Sequence, residues 1–398
     1  MAGTLFVFSV IKIICAQPQM FDWHPQLDAR IGANEKFERK KKTGYYPNIY
    51  FIILDAYARA DVLKEMYDFD NTEFLAYLRN KGFYIAERSS ANYCQTGLSI
   101  GSCFNLCYLD KLVKNYIGQS NLSRGPLKEL IAKSFVIDYL KKHGYSIISF
   151  ETGIFETELL SADLYFRSKF PINSFCNALM NTTPIPDIAV RENYSDLINK
   201  HRDNILSIFD NIRNVAQLKK KPKFIFAHIC SPHPAFIFGP NGEPVMLEKR
   251  FNHDNADWLI RPGRLTLAEY RKGYSDQVTF VNKRIKKIVD SILSNSRRPP
   301  IILILGDHGP RSETVWHDPE MTNMKENLAN LSAYYLPHGG DNELYPEITP
   351  VNIFSVVFNY YFGEKLDLLP DENYFSTAKY LYKFYDVTKR VQRGTEKD

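Results

Sequence analysis

Three stretches of the sequence place metal-binding side chain types where an apolar run stops. Residues 301–310 read IILILGDHGP, five aliphatic residues followed by Asp307 and His308 with a glycine on each flank. IYFIIL (49–54) ends at Asp55, and KPKFIFAHI (221–229) carries His228 near its end. Short aliphatic runs of this kind read as strands buried on both faces of a sheet. In an open α/β sheet, ligands bind outside the carboxyl ends of the strands. Three strands thus bring carboxylates and imidazoles to one edge, a donor set that suits zinc, manganese or magnesium rather than copper or an iron–sulfur cluster. The flanking glycines let the backbone turn sharply and approach a ligand closely. The plainer alternative for Asp307 and His308 is a helix cap followed by a loop histidine.

Two further stretches carry groups that could act on a ligand held there. ANYCQTGLSIGSCFN (91–105) runs from a polar start into small residues at helical spacing. A hydroxyl at such a helix start, here Thr96, meets free N–H groups and the positive end of the helix dipole. Contact with a metal would make its alkoxide accessible near neutral pH. As a plain helix cap, Thr96 would do no chemistry. In FAHICSPHPAFIFGPNGEP (226–244), prolines and glycines fix a loop around His233. That imidazole could bind a phosphoryl oxygen or protonate a leaving oxygen, or simply sit on a rigid turn.

The elements needed to position these residues are legible between them. NTEFLAYLRNKGF (71–83) has helical spacing of Phe74, Leu75 and Leu78 and a stop at Gly82. PLKELIAKSFVIDYLKKHGYSIISF reads as one helix, a break at Gly144 and a strand, and residues 264–293 read as a long amphipathic helix leading into the strand at 300–305. Strands alternating with helices predict a mostly parallel central sheet with helices on both faces, an α/β fold. No internal repeat is present.

Bulk properties narrow the function classes. A chain of 398 residues that is 44% hydrophobic and 24% charged has material for a large core and is not disordered. Its net charge of +5, from 50 basic and 45 acidic residues, is too small an excess to indicate nucleic acid as a partner. The six cysteines include no CxxC pair; Cys103 and Cys107 would share a helix face as small buried residues rather than as zinc ligands. At the start, TLFVFSVIKIICA (4–16) is apolar but shorter than the roughly 20 residues of a spanning helix, and suits the tail of such a helix or a short anchor. The Arg and Lys run at 39–42 within the linker NEKFERKKKTGYYPN suits a juxtamembrane position or an ordinary solvated stretch. We therefore expect an N-terminal apolar segment and basic linker over 1–46 and one catalytic domain over 47–390.

Taken together and in order, FIILDAYARAD, NYCQTGLSIGS, HICSPHPAFIFG and LILGDHGPR resemble the sulfatase-like branch of the alkaline phosphatase superfamily. The resemblance spans roughly residues 47–365, with ANLSAYYLPHGG and LYPEITPVNIFSVVFNYYFG similar to its C-terminal part. It is closer to the membrane-anchored members that process phosphoglycerol or phosphoethanolamine headgroups on envelope polymers. The resemblance implies an alkaline-phosphatase-like fold and one divalent ion, zinc or manganese first, with magnesium or calcium as alternatives. It implies Asp55, Thr96, Asp307 and His308 as ligands, Thr96 also as nucleophile, His233 on the substrate phosphate, and His228 and Arg311 as second-site or substrate residues. It further implies a lipid or glycan phosphoester substrate, membrane association and an extracytoplasmic catalytic domain. One departure bears on the reaction. Sulfatases convert the Cys or Ser of a C/S-x-P-x-R pattern to formylglycine, and here CQTGL (94–98) has Thr96 and Leu98 in place of the Pro and Arg. A sulfatase without formylglycine, or a binding domain that kept the fold, are the alternatives to a phosphoester enzyme.

Overall fold

A computed structural model describes residues 46–110, 123–168, 185–218, 222–245 and 265–393. The apolar segment at 4–16 and the basic run at 39–42 lie outside the described residues. In chain order the elements begin with β1 (Ile49–Leu54), α1 (Ala60–Tyr67), α2 (Thr72–Asn80), β2 (Tyr84–Ile85) and α3 (Thr96–Asn105). There follow α4 (Gly125–Ala132), α5 (Phe135–Lys142), β3 (Ser146–Phe150), β4 (Leu164–Phe166), α6 (Ile185–Val215), β5 (Lys223–Ile229) and α7 (Leu267–Asn295). The chain continues through β6 (Ile301–Leu305), α8 (Met324–Leu328), β7 (Ser332–Tyr335), α9 (Pro350–Val357), β8 (Tyr374–Phe375), β9 (Tyr385–Asp386) and α10 (Thr388–Arg393).

Seven strands form the central sheet in the order β2-β7-β6-β1-β5-β3-β4, with β8 and β9 in a separate pair. The five strands from β6 to β4 are parallel, and β7 runs antiparallel to both β6 and β2. This is the expected mostly parallel sheet with helices on both faces.

β1 lies at its centre, and all six of its residues are buried. Because side chains alternate across a strand, Tyr50, Ile52 and Leu54 pack with Tyr274, Val278 and Val281 of α7 and with Phe209 of α6. Ile49, Phe51 and Ile53 pack on the other face with Phe104 of α3, Ile137 and Leu140 of α5, and Phe354 of α9. Two apolar layers therefore grip the strand that carries Asp55.

Two sequence expectations are corrected. The helix read over PLKELIAKSFVIDYLKK is two helices, α4 and α5, parted at Lys133 and Ser134, where Ser134 is extended (φ −72, ψ 157). Asn105 holds the break: its amide donates to Leu130 O at 3.2 Å and its Oδ1 accepts Phe135 N–H at 3.1 Å, serving one end of each helix. Cys103 and Cys107 do not share a helix, because α3 ends at Asn105 and Leu106 turns left-handed at φ 52. Cys94, Cys103 and Cys230 are free thiols. Among the described residues no helix is long and apolar enough to cross a membrane.

Candidate metal centre and active site

The register of the three central strands brings the strand-end residues together. Ile53 pairs with His228 on one side and with Leu305 on the other, so Asp55, His228 and Asp307 emerge at one edge. The turn after β1 is tied down on both sides: Asp55 N–H donates to Ile229 O at 3.0 Å, and Ala56 N–H donates to Asp307 Oδ1 at 3.1 Å.

The two glycines in Gly-Asp-His-Gly answer to close backbone approach. A Cβ on Gly306 would lie 2.4 Å from Tyr57 O, and one on Gly309 would lie 2.0 Å from Glu326 O. Tyr57 O is engaged by Leu331 N–H at 3.0 Å, and Glu326 O is part of the α8 backbone. Gly309→Ala is therefore expected to cost about 1–3 kcal/mol or more, seen as a lower urea midpoint at unchanged denaturant slope.

Asp55, His228, Asp307 and His308 are all buried. His308 Nδ1 lies 2.8 Å from Gly309 O. A carbonyl only accepts, so Nδ1 carries the proton and Nε2 presents a lone pair. Burial, and next to it the Arg311 guanidinium, push the His308 pKa down to about 4, so the ring is neutral. Around Nε2 stand Thr96 Oγ1 at 3.3 Å and the carboxylate oxygens Asp55 Oδ1 and Asp307 Oδ2, each at 3.4 Å. Those two oxygens are buried and have no hydrogen-bond partner. Carboxylate oxygens against a lone pair repel, and buried unpaired charge is costly.

A divalent cation resolves this arrangement. Tetrahedral sites with bonds of about 2.0–2.2 Å have ligand atoms roughly 3.3–3.6 Å apart, which matches the spacings around Nε2. On the opposite side of Asp55, His228 Nε2 lies 3.2 Å from Oδ2. Ligand atoms of Asp55, His228 and Asp307 fall within 4.8 Å of one another. The residues present therefore fit a metal ion. Burial pushes the Asp55 carboxyl up, but the His233 and His228 side chains outweigh it and hold it well below the usual carboxylate range.

Thr96 is the first residue of α3, with Gln95 in the cap position and no side-chain cap bond there. Its hydroxyl faces His308 instead of capping the helix. Gly97 and Gly101 let the helix pack tightly, since a Cβ would lie 2.9 Å from Leu127 and from Leu130 respectively. His233 is buried at the rim, its N–H donates to Asp55 O at 3.0 Å, and its ring lies 6.2 Å from that of His308. His233 Nδ1 lies 2.5 Å from Pro234 O, which leaves Nε2 as the ring nitrogen that can meet a ligand. Arg311 donates to Cys94 O at 2.6 Å and stacks over Trp316 at 4.9 Å. The Cys94 thiol is turned to Ser376, whose carbonyl it meets at 3.7 Å.

Several residues at this edge gave no signal in the sequence. Cys230 is held against Asp55. Glu326 is fully buried and receives Tyr67 OH at 2.5 Å, Ser312 N–H at 3.1 Å, Glu313 N–H at 2.8 Å and the Ser312 hydroxyl. It thereby fixes the backbone next to Arg311. Burial raises its pKa from 4.5 to about 7 against those donors. A raised carboxyl pKa adds stability that is full below the unfolded value and lost as pH rises through the folded one. Unfolding free energy is thus expected to fall between about pH 4.5 and about pH 7 in the wild type, and urea titrations of Glu326→Gln should show a flatter profile.

A model of the sulfatase family matches residues 47–357, and the chain belongs to that family. It is an enzyme of the sulfatase-like superfamily. Among solved structures, the C-terminal periplasmic domain of EcEptC from Escherichia coli in complex with Zn superposes with a TM-score of 0.54 at 10% identity, over 87% of this chain and 94% of that one. Ps i-CgsB in complex with k-i-k-neocarrahexaose gives a TM-score of 0.50 at 12% identity, over 84% of this chain and 76% of that one. At such identities the likeness is one of fold. A comparison with curated protein sequences returns no match.

Proposed function

We propose that the chain is a metal-dependent phosphoester transferase or hydrolase that works through a phosphorylated Thr96. The observation that carries this reading is the position of Thr96 Oγ1, 3.3 Å from His308 Nε2, where the unpaired oxygens of Asp55 and Asp307 also converge. Asp55, Asp307, His308 and Thr96 would hold a divalent ion, zinc or manganese first. When bound, the ion supplies Lewis acidity that lowers the hydroxyl pKa and neutralises phosphoryl charge. Thr96 Oγ, its proton released to solvent, attacks phosphorus in line, and the headgroup oxygen leaves with the electrons of its P–O bond and takes a proton from solvent to become an alcohol. His233 and the first N–H groups of α3 orient and stabilise the phosphoryl oxygens. Water or an acceptor hydroxyl then displaces Thr96 and restores it.

The substrate class we assign is a lipid or glycan headgroup phosphoester at a cell envelope, with the catalytic domain extracytoplasmic and membrane-associated. The fold shared with a periplasmic domain and the resemblance to headgroup-processing enzymes support this. The missing formylglycine pattern and the burial of the Cys94 thiol against Ser376 disfavour sulfate esters. Side-by-side assays of bis-aryl phosphate, aryl phosphate and aryl sulfate with one metal-loaded preparation test the assignment. Phosphodiester turnover is expected to be fastest; faster sulfate turnover would move the enzyme to sulfate ester chemistry.

A further inference from the structure

Gln95 holds the N-cap position of α3, where Ser, Thr, Asp or Asn would stabilise the helix by taking a first-turn N–H. Its side chain makes no such bond. That side chain is buried and tied at both ends instead: Oε1 accepts from Arg124 Nη2 at 3.0 Å, and Nε2 donates to Ser376 Oγ at 3.0 Å. The second arm of the Arg124 fork, Nη1, lies 2.5 Å from Glu156 Oε1. Glu156 is buried against α3, its Cγ 3.3 Å from where a Cβ on Gly97 would stand. The two arms therefore bracket Thr96, one through the residue before it and one against the residue after it. We propose that Arg124 is a positioning residue which, through Gln95 and Glu156, fixes the first turn of α3 with Thr96 Oγ1 aligned for attack. This rests on the reading of Thr96 as the nucleophile.

Helix packing brings Arg124 to this place. Leu127 of α4 meets Gly97 and Leu130 meets Gly101, so α3 and α4 run side by side in the same direction. Arg124, the residue before α4, is thereby carried to the start of α3. Its side chain is half exposed, whereas that of Glu156 is enclosed. An ion pair open to water adds little stability, so stability alone is a weak reason for this one. A planar guanidinium holds its donors at fixed angles, and two acceptors on separate elements are then held in a fixed relation. Lysine carries the same charge as a point, with no such fork. Ser376 completes the hold from the far side: while Oγ receives Gln95, its N–H donates to Cys94 Sγ at 3.3 Å. Misplacing a reacting group by about 1 Å costs on the order of 100-fold in rate, so a hold of this kind acts on turnover more than on substrate binding.

Steady-state turnover of a bis-aryl phosphate by the metal-loaded full chain decides it. Arg124→Met should lower kcat about 10–100-fold, with KM within about threefold of wild type. Arg124→Lys should lose nearly as much, because it keeps the charge and not the fork. Gln95→Met fills similar space without polar ends and should also lower kcat. The double variant should fall well short of the product of the two losses, since both act on one turn. Arg124 is half exposed, so its two variants are expected to fold, and they decide the matter even where Gln95→Met does not fold. Wild-type kcat in Arg124→Met or in Arg124→Lys overturns the proposal. A raised KM at unchanged kcat, or losses that multiply in the double variant, would put Arg124 in contact with substrate and overturn it too. Thr96→Ala separates the two levels. Inactive Thr96→Ala beside wild-type Arg124 variants removes this inference alone, whereas active Thr96→Ala removes the nucleophile and this inference with it.

Discussion

Thr96→Ala should reduce phosphodiester turnover by roughly a thousandfold or more, the scale of loss for an essential attacking group. Its stability should change by only about 1 kcal/mol, the net worth of one hydrogen bond. The two effects separate because the hydroxyl meets His308 and does not cap the helix; Gln95 holds the cap position. Thr96→Ser keeps the oxygen and should retain part of the rate. Mass spectrometry of a quenched reaction should find the phosphoryl adduct on the peptide that contains Thr96. A folded Thr96→Ala enzyme with wild-type turnover would rule out the covalent route.

Asp307→Asn should move activity and apoprotein stability in opposite directions. Asp307 Oδ1 accepts from Ala56 N–H, while Oδ2 is buried, unpartnered and 3.4 Å from the lone pair of His308 Nε2. An amide nitrogen in place of Oδ2 turns that repulsion into a hydrogen bond and removes an unpaired buried charge. The metal-free variant is therefore expected to melt higher than metal-free wild type, by the equivalent of about 1–3 kcal/mol. Turnover should fall about a thousandfold, since the several kcal/mol supplied by a Lewis acid convert at 1.36 kcal/mol per factor of ten. Calorimetry with and without chelator, beside the diester assay, measures both. A variant that melts lower than wild type in chelator would show that Oδ2 is not strained in the apoprotein.

The parts of the site that could be read in the sequence are those that local pattern encodes. Aliphatic runs that stop at Asp55 and at Asp307 mark strands and their ends, and a polar start followed by small residues marks the helix that opens at Thr96. What could not be read depends on contacts between distant segments. The split between α4 and α5 is set by Asn105, some thirty residues away in sequence. The antiparallel placement of β7 follows from pairing with β6, not from its composition. His228 could be seen as a strand-end histidine, but its partner Thr157 belongs to a short 3-10 turn 71 residues earlier. Glu326 had no pattern at all, because its donors come from Tyr67 on another helix and from the loop after Arg311.

The placement of β1 between β5 and β6 also governs when the site can exist during folding. Ala56 and Asp307 meet across 251 residues, and Thr96 and His308 across 212. Closing such long loops costs entropy before any contact returns it, and parallel pairings of this range form slowly. A nascent chain that has not yet emitted β6 holds Asp55, Thr96 and His228 but neither Asp307 nor His308. An ion held by all of these groups could bind only once the sheet's centre is complete. By mass action, an ion that binds only the finished arrangement would stabilise that arrangement alone and not its precursors.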